Sequence, residues 1–122
     1  MTMNSIARRT VKIAFPALLL AGLSLGAWAG LDEVGLFAFK GIAPGGAVHN
    51  AHVTDPNAGN MYVHTVLLNG VAESEGSDFT IQGDGTTSPT VHFTDHLVRG
   101  DSVKVQGGTT RNGHFEGTLT FD

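Results

Sequence analysis

His114-Phe115-Glu116-Gly117-Thr118-Leu119-Thr120-Phe121 changes side-chain character at every step. Successive side chains of a strand point to opposite faces. Phe115, Gly117, Leu119 and Phe121 therefore fall on one face, and His114, Glu116, Thr118 and Thr120 on the other. The stretch predicts a strand with one core face and one wet face. Upstream, residues 102–106 repeat the rule with Val103 and Val105 inward, and Arg111-Asn112-Gly113 supplies turn chemistry between the two runs. A C-terminal hairpin is the expectation.

Working outward, residues 34–42, 48–53, 61–69, 78–82 and 90–93 read as further strands, with glycine, asparagine and aspartate punctuating the chain between them. Asn69-Gly70 reads as a second hairpin turn. In residues 61–68 both faces are largely apolar, Met61, Val63 and Leu67 alternating with Tyr62, Val66 and Leu68, which predicts a central strand. No stretch has helical periodicity. The fold expected is all-β, a small antiparallel β-sandwich or barrel of about six to seven strands.

The N-terminus reads differently. Arg8, Arg9 and Lys12 precede an apolar run over residues 13–26, and Ala27-Trp28-Ala29 follows. A positive patch, a short apolar stretch and small residues at a cut site make a signal peptide. Residues 1–29 are expected to be removed before Gly30, leaving residues 30–122 as one exported domain, periplasmic or extracellular. The apolar run is short of the ~20 residues that span a bilayer, so no stable membrane anchor is expected. The Arg8-Arg9 pair lacks the large apolar residues usual after a twin-arginine signal. A lipid anchor at the cut site would need a cysteine, and the chain has none.

Of the seven lysines and arginines, Arg8, Arg9 and Lys12 leave with the signal peptide. Four remain against eleven carboxylates, a net charge of 4 − 11 = −7. Lys40, Arg99, Lys104 and Arg111 are too few and too scattered to displace counterions from nucleic acid. A small secreted domain without disulfides relies on sheet packing, a bound ion or association with other chains.

Histidine is the compositional oddity, because all six lie in residues 30–122. Imidazole is the ligand a cysteine-free exported protein has for zinc or copper. Spacing offers two half-sites. His92 and His96 would share a strand face about 13 Å apart at 3.3 Å per residue, too far for one ion unless the chain turns at Phe93-Thr94-Asp95. His49 and His52 face opposite ways on a strand, and a bend at Asn50-Ala51 would join them. His49, His52, His92 and His96 are the candidate metal ligands. His64 fits a hydrogen-bonded core or rim position, His114 a wet strand face, and Met61 an apolar strand position. Glu73, Glu75, Asp78 and Asp84 read as acidic solvated loops, since their spacing does not match a helix-loop-helix calcium loop.

Catalytic patterns are absent. No serine sits in a nucleophile elbow, and there is no cysteine nucleophile, phosphate loop or dinucleotide fingerprint. The sequence points to a non-catalytic binding module whose most concrete partner is a transition-metal ion, with a small ligand or another protein as other partners. Two alternatives are an inhibitor or partner of an extracellular or periplasmic protein, and a self-associating structural subunit that donates the strand at residues 34–42 to a neighbour's sheet.

Overall fold

The computed structural model describes residues 33–122; the signal peptide expected at residues 1–29 lies outside them. The described residues form nine strands and no helix: β1 (Gly35–Ile42), β2 (Val48–His52), β3 (Met61–Leu68), β4 (Val71–Ala72), β5 (Phe79–Gln82), β6 (Thr90–Leu97), β7 (Ser102–Thr109), β8 (His114–Thr118) and β9 (Thr120–Phe121). They make two open sheets, one ordered β4-β3-β7-β1-β8 and the other β5-β6-β2-β9. Neither closes on itself, so the barrel form of the expected fold is not adopted. Pairing is antiparallel except between β1 and β8, which run parallel.

Alternation does what the sequence requires of it. Phe37, Phe39, Val66, Val103 and Val105 point inward from the first sheet, and Ala51, Val53, Phe79, Val91, Phe93 and Leu97 from the second, into one shared core. Phe37 and Phe39 meet edge to face with centroids 6.1 Å apart, a favoured aromatic geometry. Asn69 and Gly70, at φ of 53° and 84°, form the expected tight turn and pair Leu68 with Val71.

Three expectations about neighbours need correction. The C-terminal hairpin does not form, because β1 lies between β7 and β8. The turn at Arg111–Gly113 instead carries the chain across the start of β1, where the Gly113 carbonyl accepts the Leu36 N–H at 2.9 Å. Alternation specifies which face is buried, not which strand lies alongside.

The expected last strand is also two. Its first half ends where the Leu119 N–H bonds the Lys40 carbonyl at 3.0 Å, and its second half joins the other sheet, where the Asp122 N–H bonds the Asn50 carbonyl at 3.1 Å. Leu119, 3% exposed, fills the crossing between the sheets. Gly41 makes room for it, since a Cβ there would stand 2.9 Å from the Phe121 ring. This break and the two-residue β4 account for the strands beyond the expected number.

Finally, β3 is not central. Beyond it lie only β4 and the loop at residues 83–86, which bonds Met61 through the Thr86 carbonyl and the Gly85 N–H, both at 2.8 Å. That loop half-covers Tyr62, so its burial comes from a loop rather than from another strand.

Candidate histidine site

Two irregularities in the second sheet build the site. The N–H groups of His49 and Asn50 both bond the single Asp122 carbonyl at 2.9 Å, so two residues of β2 oppose one beyond β9. Such a bulge re-aims the side chains it carries. On the other flank, pairing jumps from Val48↔Leu97 to Asn50↔His92, leaving His49 alone opposite Phe93, Thr94, Asp95 and His96. Phe93 and Leu97 stay in the core while Thr94, Asp95 and His96 are pushed out to solvent. The turn that would join His92 to His96 is thus present as a bulge.

The consequence is a cluster centred on His49. Its ring stacks on that of His92, with centroids 5.4 Å apart and planes 17° from parallel. His96 meets the same ring edge-on at 6.1 Å.

Hydrogen bonds fix the protons of two of these rings. His49 Nδ1 lies 2.9 Å from the Phe93 carbonyl, which can only accept, so Nδ1 carries the proton and Nε2 of the neutral ring is a bare base. His92 Nδ1 lies 2.9 Å from Asn50 Oδ1. The Asn50 amide is oriented in turn, because its Nδ2 donates to Asp122 Oδ1 at 3.0 Å. His92 therefore also donates from Nδ1 and bares Nε2. His96 is exposed.

His52 is placed differently. Its Nε2 donates to Asp122 Oδ1 at 3.0 Å, and its Nδ1 accepts from the Thr90 hydroxyl at 2.8 Å, so both nitrogens of the neutral ring are engaged. The Asp122 side chain is 71% exposed, and its carboxyl is held below the ordinary carboxylate range by the hydrogen bonds from His52 and then Asn50. Asp122, His52 and Thr90 tie the end of the chain to β2 and β6. Of the four candidate ligands, the fold gathers His49, His92 and His96 and occupies His52 in this anchor.

As placed, no three histidine, aspartate or glutamate side chains among the described residues converge on a point that could hold an ion. Parallel stacked rings aim their nitrogens side by side. An ion with bonds of about 2.0–2.1 Å to imidazole requires the rings to tilt toward one another.

The other expected positions resolve as structure. Met61 is fully buried in the core. His64 Nε2 lies 2.6 Å from Glu33 Oε1, a carboxylate 3% exposed whose second oxygen is buried without a hydrogen-bond partner. Burial pushes the Glu33 carboxyl up, against the pull of His64. His114 pairs with Glu116 at 3.3 Å on an exposed edge. Asp78 closes a turn by accepting the Ser74 N–H at 2.8 Å, and Asp84 accepts the Val63 N–H at 2.8 Å. Asn50, Asp122 and Thr90 were not singled out by sequence reasoning. They reach the histidines across strand pairings that no local spacing records.

No family model matches the chain, and comparison with curated proteins and with solved structures gave no match.

Proposed function

We propose that the exported domain is a non-catalytic β-sandwich that binds a transition-metal ion, zinc or copper, through His49, His92 and His96 on the outer face of its second sheet. One observation carries the reading. Two adjacent imidazoles are each anchored at Nδ1 by an oxygen acceptor, which leaves Nε2 as the basic atom on both. Metal-bound histidines are held this way, with the second ring nitrogen donating to a carbonyl or carboxylate. His96, exposed on the bulge, is the ligand with most freedom to swing in as the stacked rings tilt.

With Nδ1 donating to the Phe93 carbonyl in one ring and to Asn50 in the other, Nε2 is the nitrogen that each neutral ring offers to a metal. Hydrogen bonding of β1 on both edges within its own sheet supports a self-contained domain over one that donates this strand. The test is equilibrium dialysis of chelator-stripped protein against zinc and against copper. One ion bound per chain, lost in His92→Ala, supports the reading. Retention of no ion above buffer levels at micromolar metal sinks it.

A further inference from the structure

We infer that Asn50 and Asp122 are positioning residues of the histidine site, acting together to set the tautomer of His92. The inference rests on the metal reading for its purpose but not for its geometry. An asparagine amide can turn either its oxygen or its NH₂ toward a neighbouring ring. The oxygen would draw the ring proton to Nδ1; the NH₂ would draw a lone pair there and move the proton to Nε2, where it blocks a metal.

Asp122 decides between these. Its Oδ1, 3.0 Å from Asn50 Nδ2, only accepts, so the NH₂ must face it and Oδ1 must face His92. The same oxygen accepts from His52 Nε2 at 3.0 Å, which gives His52 the opposite tautomer. A single carboxylate oxygen thus sets one ring directly and a second through an amide. His49 reaches the same state as His92 through a main-chain carbonyl that no side-chain change removes. The site therefore has one ligand fixed by the backbone and one fixed by replaceable side chains. Outer partners of this kind shift metal affinity by about 10- to 100-fold.

The experiment is long-range ¹H–¹⁵N correlation spectroscopy of the ring nitrogens in metal-free protein, at a pH where the imidazoles are neutral. It uses the wild type, Asn50→Ala, Asp122→Ala and Asp122→Asn. The wild type should show His49 and His92 as Nδ1–H and His52 as Nε2–H, in one spectrum. Asn50→Ala and Asp122→Ala should move His92 toward the Nε2–H form preferred by a ring in water while leaving His49 unchanged. Asp122→Asn, whose amide oxygen can still accept from Asn50, should restore it. Zinc titrated into the same samples should bind about tenfold or more weakly wherever His92 has changed.

An Nε2–H signal for His92 in the wild type, or an unmoved His92 in both alanine variants, overturns the inference. The wild-type spectrum needs no variant to fold, and Asp122 is exposed enough for its replacement to leave the core intact. Correct tautomers with no response to zinc or copper would uphold the positioning role and remove the metal from the proposed function.

Discussion

The rings of His49 on β2 and His92 on β6 lie 5.4 Å apart and nearly parallel, and each is anchored at Nδ1 by a different oxygen. The pair exists because two bulges bring residues of neighbouring strands onto one face. Nuclear Overhauser contacts between the protons of the two rings should be observed, and their absence would mean that the rings do not stack in solution.

Core packing gives the largest effect on stability. Phe37 is 2% exposed and packs against Phe39 in the shared core. Phe37→Ala should lower unfolding free energy by about 3–5 kcal/mol. Urea unfolding measures this, and a loss below about 1 kcal/mol would contradict the placement of the two sheets around that ring.

The β3–β4 turn offers a local test. Gly70 has φ of 84° and nothing within 4 Å of where a Cβ would sit, so Gly70→Ala meets no clash. Only backbone strain remains, roughly 1–2 kcal/mol. Asn69, at φ of 53°, also donates from Nδ2 to Asp101 Oδ1 at 3.0 Å and accepts the Ser102 N–H at 2.9 Å, so Asn69→Gly loses these bonds and should cost about 1 kcal/mol. A Gly70→Ala variant as stable as the wild type would argue against this turn.

The pH dependence follows from Glu33. Burial raises its carboxyl above the ordinary 4.5, His64 opposes this by hydrogen bond and charge, and Asp84 adds to the rise. The folded state thus holds this proton more tightly than the unfolded chain. Its contribution to stability is fully present below 4.5 and is lost as pH rises through the folded value. Glu33→Gln removes that loss, so its stability relative to wild type should increase from pH 4 to pH 7. A wild-type-minus-mutant difference that stays flat over this range would contradict the burial of the carboxylate.

N-terminal processing is read directly by mass. The full chain expressed in a bacterial host is expected to give a periplasmic or secreted product whose mass begins at Gly30. A product found only in the cytoplasm with residues 1–29 retained would contradict the expected signal peptide.

The sequence was legible where a face is at stake and opaque where a neighbour is. His114–Phe121 announced its inner residues correctly, since Leu119 is buried and Thr118 and Thr120 are exposed, because side-chain period depends only on local backbone. The insertion of β1 between β7 and β8 was not legible, since either edge of an alternating strand can pair. Asn69-Gly70 was readable from its backbone preference alone. His92 and His96 were recognisable as a pair needing a turn, but the bulge that supplies it depends on Asp78 and Ser77, which bond Thr94 from another segment. Asn50 and Asp122 were invisible, because what makes them matter is a side-chain chain running across strands.

The most direct test of the histidine site is thermal unfolding after chelator treatment, repeated with zinc or copper added, in wild type and in His92→Ala and His96→Ala. A ligand that binds only the folded state raises stability by about 2.7 kcal/mol at a hundredfold excess over its dissociation constant, a shift of several degrees for a domain of this size. The account predicts such a shift in the wild type and its loss in both variants. A wild-type midpoint unmoved by either metal, or a shift that survives both substitutions, would contradict it.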